Sequence, residues 1–121
     1  MDCTFCHLEK GIVFESECWV AIEDAFPVNR GHTLLVTRRH VASFRELLLA
    51  EFGDLQLLLN TVVAYLDEAH RPDGYNFGVN DGAAAGQTIF HVHFHIIPRF
   101  SGDHPNPRGG VRNIKPPVIL Y

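Results

Sequence analysis

The residues best suited to chemistry lie in one short run, His91-Val-His93-Phe-His95-Ile-Ile97. On a strand, successive side chains alternate faces, so the three histidines share one face, and Val92, Phe94 and Ile96 share the other. With 8 His in 121 residues, about 0.03 H-x-H-x-H patterns are expected by chance. An imidazole titrates at about 6.5 and is mostly neutral at pH 7, which leaves a nitrogen lone pair available. Two chemistries want rings at this spacing. One is metal binding through neutral imidazoles. The other is nucleophilic and proton-transfer catalysis, in which one ring attacks while its neighbours orient it or bind charge.

The loop before the run favours the second chemistry. Residues 81–86, DGAAAG, make a Gly/Ala-rich bend, followed by Gln87 and Thr88. Exposed backbone N–H groups there, with amide and hydroxyl side chains, suit phosphate oxygens. Asn80, at the far end of the loop, faces the same region. Charge that gathers on the non-bridging oxygens of a phosphoryl transition state is stabilised by such fixed donors. No carboxylate cluster offers to hold magnesium, so no catalytic metal is expected.

A second motif, Cys3-Thr-Phe-Cys6, reads either as half of a zinc site or as a redox pair. A thioredoxin-type pair follows a strand, and no strand fits before residue 3, so zinc is the better reading. Cys18, beside Trp19, reads as a core thiol.

Several elements must hold these residues. Residues 11–16 and 18–24 read as strands joined by a tight turn, 32–39 as a third strand, 75–80 as a fourth and 88–98 as a fifth. Ser43-Phe-Arg-Glu46 has the form of a capping box. A long helix is expected from about Ala50 to Ala69, with Phe52, Leu55, Leu59, Val62, Val63 and Leu66 on its buried stripe. Leu48, Leu57, Leu58 and Tyr65 fall off that stripe and make the helix apolar on a second side, which predicts burial against a second copy. The order β-β-β-α-β-β predicts an α+β class: a five-stranded antiparallel sheet with one long helix and one short helix. One domain over 1–121 is expected, with an irregular tail from about 99 to 121.

Composition sets the outer bounds. The chain carries 10 Lys+Arg against 14 Asp+Glu, a net charge of −4, with 46% hydrophobic residues. That balance argues against a general nucleic-acid binder, and no apolar run approaches the roughly 20 residues of a membrane span. MDCTFCHLEK lacks the features of a secretory leader, so a cytoplasmic setting is expected.

The triad and its upstream segments resemble the histidine triad (HIT) superfamily, in particular its bacterial HINT-like and diadenosine tetraphosphate hydrolase-like branches. Asp24-x-x-Pro27, Gly31-His32-x-Leu34, Arg39-His40, Gly74-Tyr75-Asn76-x-Gly78 and Ala85-Gly86-Gln87-Thr88 carry the resemblance in order along the chain. It implies that His93 attacks the α-phosphorus of a nucleotide, that His95 binds α-phosphate oxygens, and that His91 supports the site from behind. It implies phosphate contacts from Gln87, Thr88 and Asn80, ribose contacts from Asp24, and a purine pocket near Ile22 and Phe26. Some members with an N-terminal C-x-x-C bind zinc, which here implies Cys3, Cys6, His40 and His91 as structural ligands. His32, His70 and His104 are read as non-ligands. The resemblance also implies a homodimer formed through the long helix and the strand after it. A nucleotide-binding regulatory module with little turnover is the alternative.

Overall fold

A computed structural model describes residues 3–117 of the chain. Strands β1 (Ile12–Glu15), β2 (Trp19–Glu23), β3 (Thr33–Thr37), β4 (Gly74–Gly78) and β5 (His93–Arg99) form one sheet in the order β1-β2-β3-β5-β4. Every pairing is antiparallel. Helix α1 (Leu49–His70) links β3 to β4. The expected α+β architecture is therefore present. The short helical pieces are 3₁₀ turns, at Thr4–Cys6, Phe44–Glu46, Ala83–Ala85 and Gly110–Arg112. Of the expected tail, residues 100–117 hold only the last of these turns, and 118–121 lie outside the described residues.

The two sheet faces do different work. Trp19, Ala21, Leu35, Phe94 and Ile96 pack against Leu55, Leu58, Val62 and Leu66 of α1. Each fully buried aliphatic side chain there contributes about 1.5–3 kcal/mol. The opposite face carries Val20, Leu34 and Val36 beneath Phe5, with Cys3, Leu8, Ile12, Ile22 and Ile89 packed around them. Register places Leu34 opposite His95 and Val36 opposite His93, so the strand histidines belong to this second face.

Three sequence expectations shift. Leu58 is 3% exposed and Phe52 39%, the reverse of the expected stripe. Glu51 sets the helix rotation. Its carboxylate accepts the Leu48 N–H at 2.7 Å and pairs with Arg39 at 2.9 and 3.2 Å, and its carbonyl accepts the Trp19 indole N–H at 2.8 Å. With residue 51 turned inward, Leu55, Leu58, Val62 and Leu66 follow it into the core. Phe52 turns away, edge-on to Phe44 at 5.1 Å. The Ser43 cap serves the Phe44–Glu46 turn, where Ser43 Oγ accepts the Arg45 N–H at 3.3 Å, and α1 begins later, at Leu49.

The third shift concerns β5, which starts at His93 rather than at Thr88. Val92 makes the first crossing bonds: its N–H donates to Val41 O at 2.8 Å, and its carbonyl accepts the Thr37 N–H at 3.3 Å. Upstream the chain bends away, so His91 precedes the strand and its side chain is turned fully inside.

Candidate active site and metal-ligand cluster

His93 sits at the first position of β5, half-buried. Its Nδ1 lies 2.8 Å from the His91 carbonyl. A carbonyl only accepts, so Nδ1 carries the proton and Nε2 keeps its lone pair. Phe5 lies edge-on to the His93 ring at 5.0 Å, and His95 flanks it at 5.4 Å. The arrangement holds the ring from behind through Nδ1 and turns Nε2 away from that carbonyl.

His91 is fixed by the same logic. Its Nε2 is 2.7 Å from Thr37 O and must donate, which leaves Nδ1 bare on the other side. Around that lone pair gather Cys3 Sγ at 3.4 Å, Cys6 Sγ at 3.5 Å and His40 Nδ1 at 3.1 Å, while Cys6 Sγ lies 3.2 Å from His40 Nδ1. Zinc distances of about 2.0–2.1 Å to nitrogen and about 2.3 Å to sulfur give tetrahedral edges of roughly 3.3–3.6 Å. The observed separations fit, so the four residues are compatible with a closed structural zinc site. Burial lowers the pKa of His91, and the neighbouring His40 and His93 add to the effect against the Thr37 hydrogen bond. A neutral ring with an inward lone pair is what a metal ligand requires. The Arg39–Glu51 pair holds the end of β3 to the start of α1 and so places His40.

The loop ahead of the histidines is built from glycines and one amide. Gly82 and Gly86 flank the Ala83–Ala85 turn at φ +99° and +96°, values that favour glycine. Gln87 is buried, and its side chain is fully engaged. Its Oε1 accepts the Gly82 N–H at 2.8 Å, and its Nε2 donates to Ala42 O at 2.9 Å and Ile89 O at 3.2 Å. Gln87 therefore braces the loop, while Thr88 and Asn80 are exposed beside it.

Asp24 follows β2, and its Oδ1 accepts the Phe26 N–H at 2.9 Å. Its Oδ2 lies 3.2 Å from His32 Nε2 and 3.9 Å from His95 Nδ1. Ile22 is half-buried and packs, like Leu8 and Ile12, against the cluster of the second face. Phe26 is 88% exposed. Arg99 pairs with Asp103 at 2.7 and 2.9 Å and donates to Asn76 at 2.6 Å.

Sequence reasoning missed Phe5 and His32. Phe5 stands between the two cysteines, and its burial against His91 and His93 ties the N-terminus to the triad. His32 continues the alternation Val36, Leu34, His32 on the face that bears His95, a period-2 signal that was available. Gly31 makes room just before it. A Cβ at Gly31 would meet His70 Cδ2 at 2.9 Å and Pro98 Cγ at 3.1 Å.

Residues 7–102 match the HIT domain family, and the chain belongs to that family. Over nearly its whole length it is similar to an uncharacterized HIT-like protein of Methanocaldococcus jannaschii, at 38% identity covering 98% of this chain and 95% of that protein. It is 39% identical to a bis(5'-adenosyl)-triphosphatase of Dictyostelium discoideum, covering 81% of this chain and 66% of that one. It is 35% identical to an adenylylsulfatase of Arabidopsis thaliana, over 84% and 54%. Among solved structures, a histidine triad nucleotide-binding protein of Sulfolobus tokodaii superposes with TM-score 0.76 at 38% identity, covering 86% and 73%. A zinc-bound histidine triad protein of Mycobacterium smegmatis gives TM-score 0.75 at 31% identity, covering 86% and 79%. No helix among the described residues is long and apolar enough to cross a membrane.

Proposed function

We propose that this chain, acting as one domain over 1–121, hydrolyses or transfers nucleotides at their α-phosphorus through a covalent nucleotidyl-His93. The bare Nε2 of His93, with Nδ1–H held by the His91 carbonyl at 2.8 Å, is the observation that carries the reading. In the first step the Nε2 lone pair forms a bond to phosphorus as the P–O or P–N bond to the leaving group breaks, and that group departs with a proton. In the second step water attacks, the P–Nε2 bond breaks, and a nucleoside monophosphate leaves. His95 donates to α-phosphate oxygens. Thr88, Asn80 and loop amides supply further donors, and Gln87 takes part by bracing them. Asp24 accepts the ribose hydroxyls, and Ile22 lines the base pocket, which suits a purine.

Relatives named as a triphosphatase and an adenylylsulfatase support a substrate with adenosine on the attacked phosphorus. Cys3, Cys6, His40 and His91 hold a structural zinc, which ties the N-terminal segment to the sheet; no catalytic metal takes part in the reading. Cys3 and Cys6 outside any disulfide, available to the metal, suit a cytoplasmic setting. The open edge at β4, with exposed Phe77 on it and exposed Leu57 and Tyr65 on α1, supports a homodimer. Light scattering should return twice 13.6 kDa, and the monomer mass would overturn the dimer.

Incubation with a fluorogenic adenosine 5′-phosphoramidate and with diadenosine tetraphosphate, followed by chromatography, tests the activity. Release of AMP from either supports the enzyme. Binding of AMP without turnover of either would leave the regulatory module instead.

A further inference from the structure

His32 is buried, 4% exposed, and belongs to no role assigned above. Its two nitrogens have different neighbours. Nδ1 lies 3.0 Å from the Val28 N–H and accepts from it, so the ring proton resides on Nε2. Nε2 faces His95 Nδ1 at 2.9 Å and Asp24 Oδ2 at 3.2 Å. A proton on His95 Nδ1 would point at the His32 N–H, and its nearest carboxylate oxygen is 3.9 Å away, beyond hydrogen-bond reach. His95 Nδ1 is therefore the acceptor of the pair.

We infer that His32 is a positioning residue that locks His95 as the neutral Nε2–H tautomer, so that His95 presents a donor, not a lone pair, to the phosphate. The inference rests on the proposed activity only for what the donor acts upon. It fixes the direction of the chain of hydrogen bonds: Val28 N–H to His32, His32 N–H to His95, and His95 Nε2–H outward. Asp24, with Oδ1 taken by Phe26 N–H, stands beside this chain as a second acceptor for the His32 proton. The groups facing His95 are Asp24 after β2, His32 before β3 and His93 on its own strand. Burial, followed by His93 and His32, outweighs Asp24 and pushes the His95 pKa down to about 4, in keeping with a neutral ring.

The same atoms look at first like a second metal site, because Asp24, His32 and His95 bring three ligand atoms together. Metal binding through His32 Nε2 would need that nitrogen bare and the proton on Nδ1. There it would meet the Val28 N–H head-on. The geometry selects a hydrogen-bonded relay over a metal cluster.

The test is ¹⁵N–¹H correlation spectroscopy of histidine-labelled, zinc-loaded protein, with His95 assigned by its loss in H95Q. Long-range couplings and shifts identify which ring nitrogen is protonated, with no need for turnover. His95 protonated on Nε2 alone supports the lock. The Nδ1–H tautomer, or a doubly protonated ring at neutral pH, overturns it. Two variants extend the test. H32N keeps an acceptor for Val28 N–H but removes the inner donor, and H32Q keeps the inner donor. H32N should mix the His95 tautomers and lower kcat by roughly 10–100-fold, the range for a group that orients an imidazole, with KM little changed. H32Q should restore the Nε2–H signal and recover most of that loss. Equal spectra and equal kcat in the two variants would overturn the lock. The wild-type spectrum decides even where a variant fails to fold, and a failure of turnover in wild type counts against the proposed function alone.

Discussion

Two clusters of polar side chains flank His93, and they are opposites. In one, Cys3, Cys6, His40 and His91 point bare donor atoms at a common centre. In the other, His32 sends a proton into the centre, toward His95 and Asp24. The histidine pairs alone do not separate them, since His40 Nδ1 lies 3.1 Å from His91 Nδ1 and His32 Nε2 lies 2.9 Å from His95 Nδ1. What separates them is the outer partner. The Thr37 carbonyl behind His91 takes the ring proton outward, whereas the Val28 amide behind His32 drives it inward. A backbone acceptor behind a ring leaves the far nitrogen bare, as a metal ligand or a nucleophile needs, and a backbone donor behind it makes the far nitrogen a hydrogen-bond donor.

His93 stands between the two and offers the largest effect. H93A should lower turnover by at least about 10³-fold, because it removes the group that carries the covalent step. AMP affinity should stay within about 1–2 kcal/mol, since one contact of several is lost. A kcat near wild type would end the nucleophile assignment.

Next in size is the metal cluster. Purified protein should contain about one zinc per chain, the count for one closed four-ligand site, and C3S/C6S should lose it. Loss of a ligand that binds only the folded chain, worth roughly 2–4 kcal/mol, lowers Tm by about 10 °C. Elemental analysis that finds no zinc in fresh wild-type protein, or equal Tm values, would collapse the contrast between the clusters.

The smallest effect is on stability at mild acid. Burial depresses the pKa of His32, His91 and His95 in the folded chain. Below about 6.5 the unfolded chain binds protons that the folded one refuses, so the stability of the fold declines as pH falls. For His95 the loss runs from about 6.5 down to about 4, where the folded ring also protonates. In C3S/C6S, where metal release cannot contribute, the urea midpoint should be lower at about pH 5.5 than at about pH 7.5. An unchanged or higher midpoint would mean that these rings are not held neutral.

The sheet and the long helix were legible because each rests on a local pattern, alternation or helical spacing. The Cys3–Cys6 pair was legible from its ligand spacing, whereas His40 and His91 entered as its partners only through the family resemblance. The helix rotation was not legible, because it depends on the burial of Glu51, whose partner Arg39 lies 12 residues away and whose carbonyl accepts the Trp19 indole N–H from 32 residues away. The start of β5 was missed for a related reason. Val92 bonds to Val41 and Thr37, and nothing in residues 88–92 marks the bend that lets His91 turn inward. Gln87 was read by its chemistry as a ligand group; two of its side-chain hydrogen bonds close its own loop, and the third ties that loop to the Ala42 carbonyl, a partner 45 residues away. His32 was passed over as a strand-start residue. Its role comes from Val28 N–H and His95, partners that only the folded chain brings together.

His91 belongs to two systems at once: its ring faces the cysteines, and its carbonyl holds the Nδ1 proton of His93. With metal and nucleotide bound as proposed, a residue shared in this way would make them linked ligands. Linkage is reciprocal, so whatever factor an occupied metal site confers on nucleotide affinity, nucleotide returns in equal measure to metal affinity. Zinc and nucleotide would then act through the ring and the carbonyl of one residue, and a chelator titration run with and without AMP would measure the coupling directly.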